Sequence, residues 1–217
     1  SFVRELARHK DQVRAVYGSL LQAEGAAVKS SFPREFEPAA ARWKEILSAH
    51  RFREPAAAFR VLKEFAEGPG YVHVSAHTTE LALQLIPRLL ALCPQPAGER
   101  VGNQAQAFVL SDPDRVLTRL DSFIAAYGAR ASLFELWNRN PAMFELLLAL
   151  FDRSEFLAEV AIRTPDLIDD LIVGERLGKH KSREEILTDL RHGAKDTDQL
   201  LWLRRYHEAE QMRLGLR

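Results

Sequence analysis

The sequence is nearly free of cysteine. Cys93 is the one cysteine among 217 residues, so no disulfide can form within the chain, and a reducing compartment is expected. Because Leu89, Leu90 and Leu92 precede it closely, we interpret Cys93 as a small buried hydrophobe rather than a reactive thiol.

The sequence also lacks an excess of charge of either sign. Lys and Arg together number 30, as do Asp and Glu, so the formal net charge is zero. A chain without excess positive charge exerts little long-range attraction on a phosphate backbone. Nucleic acid is therefore not an expected partner.

Long hydrophobic runs are missing as well. The longest apolar run covers residues 146–151, far short of the roughly 20 residues that cross a bilayer. Arg4, Glu5 and Arg8 interrupt the N-terminal stretch, where a signal peptide would have its apolar core. These absences predict a cytoplasmic protein without a membrane partner.

Apolar residues at helical spacing are abundant. Hydrophobic residues make up 47% of the chain and charged residues 28%, which is typical of globular proteins. The apolar period is that of amphipathic helices, so we predict an all-α fold, an irregular multi-helix bundle with a long first and a long last helix. The predicted stripes of the first half are Phe2, Leu6, Val13, Tyr17, Leu20 and Leu21; Trp43, Ile46 and Leu47; Phe59, Leu62 and Phe65; and Leu81, Leu85, Leu89 and Leu92.

Prolines and glycines mark helix boundaries. Pro33 and Pro38 predict a break after the first helix, Pro55 a helix start, and residues 68–70 (Gly-Pro-Gly) a stop. Residues 71–74 are strand-like but have no second strand to pair with, so an extended linker is expected. The other predicted irregular segments are a bend at Pro87, an exposed loop over residues 95–106 and a charged connector over residues 174–181.

Helix caps recur in the second half. A capping side chain precedes a proline at Asp112-Pro113, Asn140-Pro141 and Thr164-Pro165, and Ser182 with Glu185 has the spacing of a capping box. These signals predict about four helices over residues 112–173 and a last helix from about Asp198 to Arg217. The predicted core of that region is Leu117, Phe123, Leu133, Leu136, Phe144, Leu147, Phe151, Leu157, Leu167 and Leu171.

One carboxylate pair has the form of a metal motif. In nucleotidyl transfer, a Gly-Ser followed by Asp-x-Asp can hold magnesium near a triphosphate, because the metal needs converging carboxylate oxygens. Asp112 and Asp114 form such a pair, but Pro113 between them favours a helix cap. Gly18-Ser19 lies in a predicted helix with no acidic pair after it.

Other candidate ligands and binding residues also have a structural interpretation. His73 and His77 have the spacing of a zinc-binding pair on a helix, but no third ligand is evident. Asp169-Asp170 are expected to be solvated or capping. We expect Trp43, Trp137 and Trp202 to belong to the core. Two interpretations stay open for the basic residues of the last helix, a solvated face or a docking face for an acidic partner: Arg204, Arg205, Arg213 and Arg217.

No sequence motif of catalysis is present. The chain has no nucleophile elbow, P-loop or glycine-rich dinucleotide turn. A hydrolase with a site assembled only in space stays open, since such partners converge without a sequence signature. We therefore assign no catalytic, cofactor-binding or metal-binding residue.

Short segments along the chain share their order with a known bacterial family. They are residues 6–13, 52–55, 85–90 and 203–206, with Met212-Arg213-Leu214 at the end. The most telling stretch is 112–172, which contains Asn140-Pro141, residues 154–157 and residues 164–171 in sequence. The chain resembles the central helical region of bacterial glutamine synthetase adenylyltransferase (glutamate-ammonia-ligase adenylyltransferase), between its two nucleotidyltransferase domains.

The resemblance implies a role as part of a larger enzyme. The parent would transfer AMP from ATP, with magnesium, to a tyrosine of glutamine synthetase and remove it by phosphorolysis, under control of the PII signal protein and glutamine in nitrogen regulation. Because the Gly-Ser and Asp-x-Asp motif of the family is missing, no catalytic residue is carried over to this chain. The expected role is a non-catalytic connector or regulatory segment.

The resemblance also implies three parts. Residues 1–30 would close the preceding catalytic half, residues 31–178 would be the central helical domain, and residues 179–217 would lead into the second nucleotidyltransferase domain. The flanking nucleotidyltransferase domains are then expected partners. The alternative is a stand-alone helical adaptor for protein–protein interaction, for which capped terminal helices or a repeat period would be expected.

Overall fold

The computed structural model describes residues 32–94, 108–168 and 181–215, and these form helices with no strand among them. The predicted all-α fold is confirmed. Several predictions lie outside the described residues: the first apolar stripe, Gly18-Ser19, the loop 95–106, Asp169-Asp170, Leu171, nearly all of the connector 174–181, and Arg217.

The helices in the described ranges have 9 to 17 residues. Their bounds are α1 Ala40–Ala49, α2 Pro55–Glu67, α3 Ala76–Leu92, α4 Pro113–Tyr127, α5 Arg130–Arg139, α6 Pro141–Arg153, α7 Glu155–Arg163, α8 Arg183–Gly193 and α9 Gln199–Gly215. Helix α4 lies centrally, in contact with α2, α5, α6 and α7, while α9 packs on α7 and α8. No helix in the described ranges has the length and apolarity needed to cross a membrane.

The boundaries of α2 are those that the sequence predicts. Pro55 occupies the first turn, and the helix ends at Gly68, whose φ is +81°. A Cβ at Gly68 would lie 2.3 Å from Cγ2 of Val74, so both the backbone conformation and the space favour glycine. Residues 71–74 form a turn and irregular backbone, not a strand.

Of the predicted caps, those at Asp112 and Ser182 are formed, and the one at Asn140 is not. Asp112 accepts a hydrogen bond from the backbone N–H of Arg115, and Ser182 with Glu185 forms both bonds of the capping box. The prediction that Asn140 caps α6 is wrong, because its side chain makes no capping hydrogen bond. Since Pro141 is already set for the first turn and has no N–H to satisfy, the helix starts there without help from that side chain.

Residues 112–168 contain the four predicted helices α4 to α7. The break between α4 and α5 falls at Gly128, which has a φ of +78° and is not among the predicted signals. Of the predicted core, Leu136 and Leu157 are only half-buried. Their neighbours Trp137 and Ala158 take the inward positions instead.

Aromatic rings fill the centre. Trp137 lies 4.9 Å from Phe144 and 6.3 Å from Phe123, between ring centroids. A separate cluster under α1 stacks Phe36 on Trp43 with centroids 5.1 Å apart. Rings of this size bury large apolar areas, which explains how short helices form one stable core.

Helix α3 contains Pro87, and its end is hydrogen-bonded to the chain just before α4. After Leu92 the chain leaves the helix, and Leu110 returns to donate a backbone hydrogen bond to the Leu92 carbonyl at 2.8 Å. The two ends of the intervening segment are thus held together. The start of α4 is fixed beside the end of α3.

Candidate functional site

The two carboxylates of the Asp-x-Asp pair accept backbone N–H groups at the starts of two different helices. Asp112 Oδ1 accepts the backbone N–H of Arg115 at 3.2 Å, at the start of its own helix α4. Asp114 accepts the backbone N–H groups of Arg53, at 2.8 Å, and Glu54, at 3.4 Å, where α2 begins. The capping interpretation of this motif is confirmed for Asp112, while the action of Asp114 on a distant helix has no local sequence signal.

A third acid completes the same region. Asp152, near the end of α6, has a fully buried side chain. Its carboxylate accepts the backbone N–H of Ser111, the Ser111 hydroxyl at 2.8 Å and the backbone N–H of Asp112 at 3.2 Å. Three acids near the start of α4 therefore direct their oxygens at N–H and O–H donors of the chain itself.

The pKa of Asp152 reflects these bonds. Burial would raise it, but the hydrogen bonds from Ser111 and Asp112, together with the Arg115 guanidinium, hold the pKa of Asp152 below its ordinary value. Its charged form is thus stabilised by donors already in place. This buried acid was missed by sequence reasoning, because its hydrogen-bond donors Ser111 and Asp112 are 41 and 40 residues away.

The histidine pair does not lie on one helix. Helix α3 begins at Ala76, so His73 precedes it. Within the helix, His77 Nε2 lies 3.8 Å from Glu135 Oε1, and both side chains are exposed. In the described ranges, no group of three or more His, Cys, Asp or Glu side chains is placed to hold a metal ion.

Cys93 is buried, as predicted. Its thiol donates to the Leu89 carbonyl at 3.4 Å. Burial raises the pKa of the Cys93 thiol to about 12. Because the thiolate is the reactive form, this cysteine is inert near neutral pH.

Two of the three tryptophans belong to the core. Trp43 and Trp137 are fully buried, as predicted. Trp202 is only half-buried and stacks on Tyr206, with centroids 5.0 Å apart and planes 11° from parallel. The core prediction is wrong for Trp202, because it packs between two peripheral helices.

Residues 181–215, which we call the hairpin, consist of α8, α9 and the turn that joins them. Lys181 holds the two helices together. Its ammonium donates to Asp189 Oδ2 at 2.7 Å and Glu210 Oε1 at 2.5 Å, and it lies 4.9 Å from the Tyr206 ring centroid.

The basic residues of α9 are paired, and one is buried. Arg213 is 5% exposed and its Nε donates to Glu210 at 2.8 Å. Arg205 pairs with Asp166, and Arg204 Nε lies 3.5 Å from Glu208 Oε1. The solvated-face interpretation is thus wrong for Arg213, since its side chain is buried and bound to Glu210.

Leucines are exposed on the hairpin. On α9, Leu200 is 81% exposed, and the other large apolar residues exposed here are Leu201, Leu203, Leu214, Ile186, Leu187 and Leu190. Leu200, Leu203 and Leu214 share one helical face by their spacing. Exposed apolar patches of this kind are typical of protein contact surfaces. The described part of the hairpin thus offers an exposed apolar surface suited to binding.

Comparisons with known proteins find relatives of one kind at low identity. The chain is 28% identical, over 202 residues, to the bifunctional glutamine synthetase adenylyltransferase/adenylyl-removing enzyme of Thioalkalivibrio sulfidiphilus, covering 87% of this chain and 19% of that protein. It is 28% identical over 158 residues to the enzyme of the same name from Pseudomonas aeruginosa, covering 69% of this chain and 15% of that protein. The corresponding protein of Bradyrhizobium diazoefficiens is 23% identical over 189 residues, with 86% and 18% covered.

The chain thus spans less than a fifth of the length of these relatives. No protein-family model matches it, and no solved structure matches it significantly. The similarity supports the view that this chain is a segment of such an enzyme. Its fold is defined by the described helices.

Proposed function

We propose that this chain is a non-catalytic helical connector of a bifunctional enzyme that adenylylates and deadenylylates glutamine synthetase. The observation that carries the proposal is the similarity to enzymes of that name over 87% of the chain. The connector would lie in the cytoplasm, between two nucleotidyltransferase domains, and those domains would be its direct partners.

The arrangement of the acids supports a non-catalytic role. A magnesium site for nucleotidyl transfer needs carboxylates that converge on one point with free oxygens. Asp112 and Asp114 instead accept backbone N–H groups of two different helices. ATP and magnesium would act elsewhere in the parent polypeptide.

A regulatory role follows from the position that we propose. Signals from PII and glutamine would have to favour one active site over the other, which amounts to a coupling free energy between sites. Packed helices can carry such coupling if they have two discrete arrangements. Helix α4, in contact with four other helices, would be the central element of this transmission.

A labelling assay tests the non-catalytic part. The isolated chain, incubated with labelled ATP, magnesium and glutamine synthetase, should transfer no label, and with adenylylated glutamine synthetase and phosphate it should remove none. Full-length parent enzyme is the positive control. Transfer at a rate proportional to the amount of this chain would overturn the proposal.

A second candidate function is a stand-alone helical adaptor, which the exposed leucines of the hairpin favour. The two functions differ in what the gene encodes beside this segment. A Gly-Ser and Asp-x-Asp motif encoded shortly after Arg217 in the same reading frame would support the connector. A stop codon there, with a start codon just before Ser1, would support the adaptor.

A further inference from the structure

The hairpin is held together well internally. Lys181 bridges Asp189 and Glu210, and the Trp202 ring packs against Gly193. Within the described ranges, the hydrogen bonds and ion pairs of α8 all stay inside the hairpin. The two helices are therefore built to move as one body.

Its attachment to the rest of the fold is of a different character. Arg205, Glu208 and Met212 share one face of α9. Arg205 binds Asp166, and Glu208 binds Arg163 and Thr164. These partners lie at the end of α7 and just after it. That face is therefore turned towards α7. Of the large apolar side chains described in the hairpin, Met212 alone is buried.

The centre of this attachment is a buried carboxylate. Glu208 is 7% exposed, and it accepts the Arg163 guanidinium at 2.8 Å and the Thr164 hydroxyl at 3.3 Å. If the Glu208 carboxylate lost these donors but stayed buried, its charge would be left without compensation, which is unfavourable. When α9 moves away, water replaces them. Glu208 therefore favours two states, fully docked or fully solvated.

We propose that the hairpin is an arm that docks on and releases from α7, and that the bonds of Glu208 to Arg163 and Thr164 hold it in the docked position. Docking combines the apolar contacts of the buried Met212 and of Gly215, whose Cβ position lies 2.2 Å from Leu157 Cδ1, with ion pairs to exposed partners such as Arg163 at 54% and Arg205 at 49% exposure. Such pairs contribute little free energy and are screened by salt. The four-helix region α4 to α7 depends instead on buried aromatic rings. The arm thus opens while that region stays folded.

The arm is a device of this chain alone, and it goes beyond the connector function. Release would change the position of every exposed leucine of the hairpin relative to α7. A two-position element of this kind is what a ligand or a neighbouring domain can bias.

The test measures a distance distribution in the full chain by double electron–electron resonance. One spin label is placed at Ala126→Cys, exposed on α4, and the other at Leu200→Cys, exposed on α9. Cys93 can stay, because its buried thiol with a pKa of about 12 resists labelling. A second pair, Ala56→Cys with Ala126→Cys, reports on the body of the fold.

We expect two populations for the 126–200 pair and one for the 56–126 pair. Glu208→Gln should raise the ratio of released to docked arm about tenfold, the change expected for losing a hydrogen bond between charged groups. Raising the salt concentration from about 0.05 M to about 1 M should also raise the ratio of released to docked arm, because salt screens the ion pairs. The exposed Glu184→Gln is the matched control and should leave the ratio unchanged.

A double-mutant cycle assigns the effect to these bonds of Glu208. Glu208→Gln should have a clearly smaller effect in an Arg163→Gln background, because the Arg163 bond is already gone and, among the described residues outside α9, only the Thr164 hydroxyl still donates to position 208. A single narrow distance for the 126–200 pair in all variants and at both salt concentrations would overturn the proposal. An equal broadening of the distance distribution for the 56–126 pair would also overturn it, because the whole fold would then be loosened and not the arm alone.

Discussion

The indole of Trp202 occupies the space that a side chain at Gly193 would need. A Cβ built on Gly193 would lie 2.1 Å from Cε3 of Trp202 and 2.2 Å from Cζ3. The ring is rigid and stacks on Tyr206, so it cannot turn aside as an aliphatic chain would. Contact between α8 and α9 thus depends on this glycine.

Gly193→Ala should loosen the hairpin. Alanine improves helix propensity by about 1 kcal/mol, but overpacking against a rigid ring costs more, and we expect a net loss of about 1–2 kcal/mol. The measurement is Trp202 fluorescence, which should shift to the red while the buried Trp43 and Trp137 do not change. Gly70→Ala is the control, because nothing lies within 4 Å of a Cβ there. An unshifted spectrum would contradict the close contact.

Asp152→Asn should destabilise the fold at neutral pH by about 2–3 kcal/mol, because hydrogen bonds to a buried charge are replaced by weaker ones and by a misplaced NH₂ group. Since the pKa of Asp152 is lowered in the folded state, its contribution is complete above the unfolded value of about 3.9 and is lost as pH falls through the folded pKa. Urea unfolding of the wild-type protein and the variant should therefore show their difference narrowing below about pH 4.

The matched control for this experiment is Glu159→Gln on the exposed face of α7. It should change stability by less than about 0.5 kcal/mol at neutral pH. If the difference in stability between the wild-type protein and Asp152→Asn stays constant from about pH 7 to about pH 3, the charge of Asp152 has no role.

Trp43→Phe should cost more than Trp137→Phe, although both rings are fully buried. Trp43 Nε1 donates to the Glu35 carbonyl at 3.2 Å, whereas Trp137 Nε1 has no hydrogen-bond partner among the described residues. Trp43→Phe loses a hydrogen bond, whereas Trp137→Phe removes a buried N–H group that is already unpaired among the described residues. We expect the two losses of unfolding free energy to differ by about 1–3 kcal/mol. Chemical unfolding of the two variants measures it, and an equal or reversed cost would disprove the expectation.

Asp114→Ala should cost about 1 kcal/mol, because the backbone N–H groups of Arg53 and Glu54 lose their acceptor. Asp114→Asn should retain most of the stability, since the side-chain carbonyl oxygen of asparagine can still accept these hydrogen bonds. Thermal unfolding with and without millimolar magnesium completes the test. Stabilisation of the wild-type protein by magnesium that disappears in Asp114→Asn would mean that the pair is a metal site after all.

Leu147→Ala, introduced into the full-length parent, tests the proposed coupling. Leu147 is 3% exposed, so the change leaves a cavity that costs about 2–5 kcal/mol, against a typical coupling free energy of about 1–3 kcal/mol. We expect altered ratios of adenylylation to deadenylylation with and without PII and glutamine, with smaller changes for Leu146→Ala at the half-buried neighbouring position. If both rates fall together at unchanged ratios, the segment is only a spacer.

The sequence predicts what depends on neighbouring residues. Pro55, Asp112 and the Ser182–Glu185 pair act within one helical turn, so their roles are visible in the sequence. The apolar period places Phe123 and Phe144 in the core for the same reason. Asn140 has the right residue type but does not cap.

Long-range polar contacts have no such signal. Asp114 reaches back 61 residues to Arg53, and Glu208 reaches 45 residues to Arg163. The sequence around each acid has a helical pattern in which the acid could equally well face solvent. Only the packing of one helix on another decides that they are bound, and the position of the arm follows from those same contacts.

The hydrogen bond between Leu110 and Leu92 has a consequence for how this chain tolerates change in length. This bond holds the two ends of the stretch between Leu92 and Leu110 together. The entropic cost of closing such a stretch grows only with the logarithm of its number of residues. Doubling its length would cost about 0.6 kcal/mol, whereas a single inserted residue between α4 and α5 would displace helices that pack on each other. We therefore expect this chain to accept added residues between Leu92 and Leu110 while the helices on either side keep their packing.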